Sequence, residues 1–287
     1  MKVFWWLIIR KGLVKNLIIS LIPTAQDIIP ESLNNKSAVM FDILRASSTI
    51  STALANGCQQ VIPVLEVADA FALAKKLPEN TYILGGERGA IKVPGFHLGN
   101  SPLEYTSQVV RGKTVILTTT NGTKATRLAA AGAGEVFIGS LLNTSAVANR
   151  LLARNRDVAL VCAGTRGKFS LEDTLAAGMV VRELVYLWQA KGTKPLADAK
   201  QPAVTQEIYL DEVPLLEGEN LVLEDAAVAA LRLAECYGAN PLRALYDSLH
   251  GQKLLQLGLE DDLAYCSQVD LFDVVPVYRD GKITLNP

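Results

Sequence analysis

Short runs of β-branched residues alternate with alanine-rich, helix-patterned runs along most of this chain, and this alternation restricts the fold more than any other feature of the sequence. The predicted strands are Leu17–Ile22, Ala38–Phe41, Gln60–Val64, Tyr82–Leu84, Thr114–Leu117, Val136–Ile138 and Val158–Cys162. The helices predicted between them are Ser48–Asn56, Val67–Leu77, Thr123–Ala131 and Thr144–Ala153. Strand–helix–strand alternation predicts an α/β fold with a mostly parallel or mixed sheet and helices on both faces, in three α/β/α layers.

The pattern changes after Cys162, where helices dominate. A long helix is predicted over Leu171–Gln189, with Ser170 as its N-cap and Asp173 at the third helical position, as in a capping box. Two more helices are predicted, Leu223–Tyr237 and Pro241–His250, the second ended by Gly251. Strands Val274–Tyr278 and Lys282–Leu285, around Asp280-Gly281, predict a terminal hairpin. The C-terminal part is therefore expected to be helical and to end in a hairpin.

The 287 residues suffice for one large domain or two smaller ones. We interpret residues 1–14 as an N-terminal extension, because the apolar run Val3–Ile9 is far shorter than the ~20 residues of a membrane helix. Residues 15–287 are predicted to form one α/β domain, and a division into two lobes near 165–190 stays open. Residues 191–220 are polar and weakly periodic, which predicts an irregular segment.

Composition excludes several functional classes. A net charge of −1 without a basic stretch argues against a nucleic-acid partner, and no apolar run indicates a membrane partner. The four cysteines are spaced for neither a zinc site nor a disulfide framework, which favours reduced thiols in a cytoplasmic protein. With two histidines, no HExxH and no GxSxG, chemistry has to come from carboxylates, hydroxyls, backbone amides and a hard metal.

The first polar cluster, Asp42–Thr49, follows a predicted strand and leads into a helix. A helix N-terminus offers free amides to a phosphate, and the hydroxyls of Ser47, Ser48 and Thr49 add donors. Asp42 is placed to hold a cation. The alternative is simple helix capping with Asp42 paired to Arg45, and the spacing does not separate the two.

The second cluster, Thr118–Thr123, also lies between a strand and a helix, with Lys124 nearby. A tight turn with an N-cap would explain part of it. So many hydroxyls exceed what capping requires, which favours an anion cradle.

The third cluster joins the loop Ala163–Gly167 to Glu172 and Asp173 at a helix start. The helix dipole alone stabilises acids there, but magnesium also prefers a few carboxylates with water and substrate oxygens. Consecutive helical side chains diverge by about 100°, so one carboxylate is expected to cap while the other binds.

Two glycine-rich stretches, Gly85–Gly89 and Gly95–Glu104, are candidate binding loops, and His97 within the second is interpreted as structural. Asp262 belongs to an acidic group for which solvation is favoured over a metal role.

Taken in order, these motifs resemble the 2-phosphosulfolactate phosphatase family, over roughly residues 17–278. The matching motifs are Asp42–Thr49, Gly86–Arg88, Gly95–Pro102, Thr118–Thr123, Cys162–Gly164 with Ser170–Asp173, Asp261–Asp262 and Pro276. The N-terminal extension is longer than is typical, and Lys191–Asn220 does not align. The resemblance implies Mg²⁺-dependent hydrolysis of 2-phospho-3-sulfolactate to 3-sulfolactate and phosphate, a step towards coenzyme M.

From the motifs and this resemblance we predict the site. The catalytic residues are expected to be Asp42, Arg45, Glu172 and Asp173, and the Mg²⁺ ligands Asp42, Glu172, Asp173 and Asp262. The substrate-binding residues are expected to be Ser47, Ser48, Thr49, Arg88, Asn100, Ser101, Thr119, Thr120, Asn121, Gly122, Thr123, Gly164 and Arg166. Arg88 and Arg166 are assigned to the sulfonate or carboxylate end of the substrate. Direct attack by water and phosphorylation of Asp42 both stay open.

Two alternatives remain at this stage. The enzyme could act on another small 2-phosphohydroxy acid, or the chain could be a non-catalytic anion-binding protein. Convergence of Asp42, Glu172 and Asp173 would favour hydrolysis, because a pure anion binder has no reason to place carboxylates beside its ligand. The expected partner is a small anionic phosphate, and the sequence does not decide whether the protein is a homo-oligomer.

Overall fold

The computed structural model describes residues 15–192 and 219–285 of the chain. The predicted extension over residues 1–14 and most of the predicted irregular segment lie outside these described residues. Within them, no helix combines the length and the apolar character needed to cross a membrane.

Most predicted strands and helices are present with similar bounds, although the first hairpin strand begins at Val277 and not at Val274. The strands Ile91–Lys92 and Glu219–Leu223 and the helices Ser107–Val110 and Glu260–Cys266 were not predicted. The strands are β1 (Lys15–Ile22), β2 (Ser37–Phe41), β3 (Gln60–Pro63), β4 (Tyr82–Arg88), β5 (Ile91–Lys92), β6 (Thr114–Thr118), β7 (Val136–Gly139), β8 (Val158–Cys162), β9 (Glu219–Leu223), β10 (Val277–Arg279) and β11 (Lys282–Thr284). The α-helices are α1 (Ala46–Ala55), α2 (Val67–Ala74), α3 (Ser107–Val110), α4 (Gly122–Ala133), α5 (Thr144–Arg154), α6 (Leu171–Gly192), α7 (Asp225–Tyr237), α8 (Pro241–Asp247), α9 (Leu249–Gln256) and α10 (Glu260–Cys266).

The described strands form one mixed sheet in the order β5-β4-β6-β3-β11-β10-β7-β2-β8-β1-β9. Parallel pairs link β4, β6 and β3 on one side and β7, β2, β8, β1 and β9 on the other. The predicted terminal hairpin, β10–β11, is present, and it lies between these two parallel groups.

Side chains alternate between the two faces of the sheet and meet helices on each. Val39 and Phe41 of β2 pack in one core cluster with α5, α6 and α7, whereas Ala38 and Met40 pack in another with α1 and α4. This period of two, with both faces apolar, is the pattern of a strand covered on both sides. The predicted α/β fold with helices on both faces is confirmed.

The hairpin has a consequence for strand direction. Each of the three pairings β7–β10, β10–β11 and β11–β3 is antiparallel, so the two parallel groups run in opposite directions. In a flat sheet, the carboxyl ends of the two groups of strands would lie at opposite ends of the sheet. Both groups share one core cluster with α1 and α4, and the loops after β2 and β6 come into contact. The sheet therefore curves around α1 and α4.

One predicted helix is wrong in its extent. The segment predicted as Pro241–His250 is two helices, α8 and α9, separated at Ser248. The Ser248 hydroxyl caps α9 by accepting a hydrogen bond from the Gly251 amide at 2.9 Å. Gly251 does not end a helix but lies inside α9, where a Cβ would stand 1.7 Å from the carbonyl oxygen of Leu245. The close approach of α9 to the backbone of α8 therefore requires a glycine at this position. The sequence-based interpretation of Gly251 as the end of a helix is wrong.

Candidate active site

The loops after β2, β4, β6 and β8 surround a cavity of about 690 Å³, together with α9. Its polar lining comprises Asp42, Arg45, Glu87, Asn100, Thr119, Thr120, Asn121, Thr165, Arg166, Lys168, Ser170, Glu172, Asp247, Ser248, His250 and Lys253. Eight residues of the predicted site therefore line the cavity, namely Asp42, Arg45, Asn100, Thr119, Thr120, Asn121, Arg166 and Glu172. A volume of this size is typical of a small-molecule site.

Asp42 follows β2 directly, and its carboxylate is buried at the cavity wall. The amide of Ala46 donates to its Oδ1 at 3.4 Å, and the amide of Gly122 also interacts with it. The pKa of Asp42 is raised to about 7, mainly by burial and also by the nearby charges of Glu87 and Glu172, which together outweigh these amide donors. Asp42 is thus a carboxylate that a nearby cation would stabilise in its charged form.

Glu172 and Asp173, in the first turn of α6, have different roles. Glu172 lines the cavity, and burial raises its pKa although the Ser170 and Ser248 hydroxyls lower it. Asp173 lies behind the wall, where its Oδ1 accepts from the Ile43 amide at 2.8 Å and its Oδ2 from the Gly164 amide at 3.1 Å. Asp173 therefore ties the loop after β2 to the loop after β8.

The predicted capping box is only half formed. The amide of Asp173 donates to the Ser170 hydroxyl at 3.2 Å, as predicted, but the Asp173 carboxylate is bound to Ile43 and Gly164.

Arg45 is held by a residue far along the chain. Its Nη1 lies 2.5 Å from Oδ2 of Asp262, and its Nη2 donates to the Ala90 carbonyl at 3.0 Å. The other Asp262 oxygen accepts from the Ser101 hydroxyl at 2.5 Å. Both side chains of the ion pair are 3% exposed, so this is a buried charge pair at the cavity. The structure places Asp262 and Ser101 behind Arg45, away from the cavity lining, and Arg45 does not pair with Asp42.

The hydroxyls of the first cluster are directed towards backbone carbonyls. Ser47 donates to the Asp42 carbonyl, Ser48 to that of Ile43 and Thr49 to that of Asn100, at 2.8 to 2.9 Å. All three residues are fully buried, and none lines the cavity. Their donors fix the loop between β2 and α1, and the structure does not bring them to the cavity as the sequence analysis expected.

Glu87, which was not among the predicted site residues, joins two of the cavity loops. Its Oε2 accepts from the Ala90 amide at 2.7 Å, and its Oε1 accepts from the amide and the hydroxyl of Thr120 at 2.8 and 2.9 Å. Its place in a glycine-rich stretch after a strand was the available signal. The threonine cluster is thus partly fixed by a carboxylate.

Several predicted substrate-binding residues lie outside the lining. Arg88 donates to the carbonyls of Glu87 and Leu65 and to the Thr118 hydroxyl. Gly164 supplies its amide to Asp173. Gly122 and Thr123 form the first turn of α4, close behind Asp42 and Thr119. Their contacts position the residues that do face the cavity.

Basic groups collect at another part of the cavity. Arg166 and Lys168 are exposed on a tight turn, in which Thr165 and Lys168 exchange backbone hydrogen bonds at 3.0 and 3.1 Å. His250 and Lys253 approach from α9. The sequence did not pair His250 with Lys253, because the predicted helix ended at His250. In the structure α9 continues past His250, and residues three apart in a helix lie on one face.

The carboxylates of the cavity are candidate ligands for a metal ion. Within residues 15–192 and 219–285, no group of three or more His, Cys, Asp or Glu side chains is arranged to hold a metal. Mg²⁺ is commonly bound by one or two carboxylates together with water and substrate phosphate, so three protein ligands are not required. The cavity offers two buried carboxylates, Asp42 and Glu172, and they lie close enough for the charge of Glu172 to act on Asp42. This donor set fits Mg²⁺.

Comparisons with known proteins agree on one family. A family model described as 2-phosphosulpholactate phosphatase matches residues 22–281, a range that contains the whole cavity lining. A protein of Symbiobacterium thermophilum named probable 2-phosphosulfolactate phosphatase is 40% identical over 255 residues, 89% of this chain and 96% of that protein. A protein of the same name from Clostridium beijerinckii is 38% identical over 266 residues, 93% of this chain and 98% of that protein.

Proposed function

Because the chain belongs to the 2-phosphosulpholactate phosphatase family, we propose that it is a Mg²⁺-dependent phosphatase that hydrolyses 2-phosphosulfolactate to 3-sulfolactate and phosphate. The observation that supports this most directly is the pair of buried carboxylates, Asp42 and Glu172, in a cavity that also contains basic side chains. In a protein that only binds anions, such carboxylates would lower the affinity for the anion unless a cation lay between them and the ligand. The coenzyme M step and the cytoplasmic location implied by the resemblance depend on this substrate and stay predictions.

The charges of the cavity match those of the proposed substrate. The molecule carries a phosphate, a carboxylate and a sulfonate, about four negative charges at neutral pH by their ordinary acidities. Arg45, Arg166, Lys168 and Lys253 provide cationic donors. In this proposal the carboxylates Asp42 and Glu172 hold Mg²⁺, which supplies charge neutralisation at the phosphate oxygens when it is bound.

The side chains of the cavity then bind and orient the phosphate. Arg45 has five N–H groups, and its hydrogen bonds to Asp262 and Ala90 leave others for the phosphate oxygens. Fixed donors of this kind stabilise charge on the equatorial oxygens as the phosphoryl group transfers. Asn121 lies at the start of α4, where helix amides favour an anion. Water attack and phosphorylation of Asp42 remain alternatives for the nucleophilic step.

The test is phosphate release from 2-phosphosulfolactate, 2-phospholactate and an aryl phosphate, with Mg²⁺ and with a chelator. We expect Mg²⁺-dependent release from the sulfonated substrate, and at least about a 100-fold loss in Asp42→Asn and Glu172→Gln, as for lost metal ligands. Asp69→Asn, an exposed carboxylate on α2, is the matched control and should be unchanged. Near-normal turnover by folded Asp42→Asn would refute the assignment. Release only from unsulfonated substrates would keep the phosphatase and replace its substrate.

A further inference from the structure

Two side chains that line the cavity, Asp42 and His250, experience different charges. The charges that act on Asp42 are those of Glu87 and Glu172, both acidic. The charges that act on His250 are those of Lys253, Arg45 and Arg166, opposed by Glu87 alone. A cation is therefore favoured beside Asp42 and an anion beside His250.

The groups around His250 retain donors for a ligand. Lys253 donates to the Gly89 carbonyl at 2.8 Å, which leaves two of the three hydrogens of an ammonium. Among the described residues, the Arg166 guanidinium makes no hydrogen bond or ion pair, although it lies at the cavity. His250 is half-buried, and the charges of both Lys253 and Arg166 act on it. These three side chains, from α9 and from the Thr165–Lys168 turn, line the same cavity and carry N–H groups.

We propose that His250, Lys253 and Arg166 form the binding site for the sulfonate of the substrate, so that these residues select sulfonated phosphate esters. This inference rests on the proposed function. It replaces Arg88, whose guanidinium is bound to the backbone and to Thr118, as a candidate for that end of the substrate.

The sulfonate is the group that fits this region for a chemical reason. Phosphate and carboxylate oxygens are good ligands for Mg²⁺, whereas a sulfonate is a weak one, so it depends on cationic and neutral N–H donors. A sulfonate is also fully ionised at any physiological pH. It can therefore accept hydrogen bonds from a neutral imidazole without taking its proton.

The state of His250 agrees with this role. The pKa of His250 is lowered to about 4, mainly by burial and also by the charges of Lys253, Arg45 and Arg166, which act against Glu87. An anion bound among these groups would reverse part of the cationic field. Ligand binding is therefore expected to raise the pKa of His250 and to be coupled to proton uptake at acidic pH.

The kinetic test compares 2-phosphosulfolactate with 2-phospholactate, which lacks only the sulfonate. In Lys253→Gln and Arg166→Gln, kcat/KM for the sulfonated substrate should fall about 10- to 100-fold, the range expected for a lost charge-assisted hydrogen bond. The value for 2-phospholactate should change less than about threefold. Lys75→Gln, an exposed lysine that caps the C-terminus of α2, should alter neither. Equal losses on both substrates, or no loss on either, would overturn the sulfonate assignment.

A second readout does not require turnover. The chain has two histidines, so an NMR titration can follow His250 alone, with His97 as internal control because its Nδ1 accepts from the Leu84 amide. The pKa of His250 should rise by about one unit or more with 3-sulfolactate, but not with lactate. If the wild type hydrolyses none of the substrates, the proposed function fails and this titration still decides the sulfonate site. Normal hydrolysis without a 3-sulfolactate-dependent shift would refute the site alone.

Discussion

Asp42 is a single residue whose proposed role as a metal ligand would come at the expense of stability. Its carboxylate is buried beside Glu172 and Glu87, where desolvation and like charges both oppose ionisation. Two backbone amides compensate only in part. Such an arrangement would help to bind a cation that neutralises the carboxylates in the working enzyme. In the metal-free protein it should make the free energy of unfolding depend on pH.

The first prediction concerns this pH dependence. The pKa of Asp42 is about 7 in the folded state and ordinarily near 3.8, so the folded state holds the proton more tightly. Its contribution to stability is therefore present below pH ~4 and lost as the pH rises to ~7, at up to about 1.4 kcal/mol per pH unit. Glu172 and Asp173 act in the same direction, whereas His250, with its lowered pKa, acts in the opposite one.

Denaturant unfolding with a chelator, for the wild type and Asp42→Asn, isolates the Asp42 contribution as a difference. Between pH 4.5 and 7.5 the free energy of unfolding should fall less in the variant than in the wild type. The difference between the two slopes should be at most about 1.4 kcal/mol per pH unit. Added Mg²⁺ should flatten the wild-type curve. Identical slopes for the two proteins would show that Asp42 titrates normally.

The second prediction concerns the ion pair between Arg45 and Asp262. Removing one partner leaves a buried charge unpaired, so Asp262→Ala should lower the free energy of unfolding by about 3–5 kcal/mol. The double variant Arg45→Met/Asp262→Leu removes both charges and should recover most of that stability. Its activity should stay at least about 100-fold below wild type, because Arg45 lines the cavity.

Denaturant titrations and phosphate-release assays on the three proteins separate stability from activity. Full activity in the stable double variant would mean that Arg45 serves the fold only.

At this scale the sequence predicted the residues of local clusters better than their partners. Spacing brought forward Asp42, Arg45 and Glu172, which all line the cavity. It could not show that Asp262 reaches Arg45, because that contact joins residues 217 positions apart. Nor could it show that the Ser47–Thr49 hydroxyls face carbonyls, since hydroxyl direction depends on how the loop closes.

At the scale of elements, the first turns of helices pack against neighbouring loops and fix their positions. The first turn of α4 packs directly on the loop after β2, so that a Cβ at Gly122 would stand 2.7 Å from Oδ2 of Asp42 and 2.9 Å from Cβ of Ala46. From the sequence, Gly122 is expected to be part of an anion cradle. The structure gives it a second, steric role, which only the approach of α4 to α1 reveals.

The third prediction follows from this approach. Alanine favours a helix over glycine by about 1 kcal/mol, whereas overpacking costs about 1–3 kcal/mol, so Gly122→Ala should change stability only modestly. The added methyl should displace the Asp42 carboxylate and raise the Mg²⁺ concentration for half-maximal activity by about 10-fold or more. Arg127→Ala, exposed on the same helix, is the control. Unchanged Mg²⁺ dependence in Gly122→Ala would indicate that Asp42 is not a ligand.

For the whole molecule, most strands were predictable, except β5 and β9, whereas strand direction was not. Hydrophobic runs identified β2, β6 and β8 nearly to the residue, because each is buried on both faces. The hairpin β10–β11 was also recognised, from Asp280 and Gly281, whose φ angles are 51° and 82°. Its insertion between β7 and β3 was not, since pairing between distant strands leaves no local signal. That insertion reverses the direction of one half of the sheet, yet the loops after β2 and β6 are in contact at the cavity.

The fourth prediction tests whether this hairpin holds the two halves of the sheet together. Ile283 of β11 is fully buried, pairs with Tyr278 in the hairpin and lies opposite Val61 of β3. Ile283→Ala should therefore lower the free energy of unfolding by about 2–5 kcal/mol, as for a large core residue. Lys282→Ala, the exposed neighbour in the same strand, should change it by less than about 0.5 kcal/mol. Denaturant unfolding of both variants makes the comparison. Equal effects would mean that β11 is a peripheral addition to the sheet. A large effect confined to Ile283 would show that β11 holds the two oppositely directed groups of strands together, and with them the cavity between their loops.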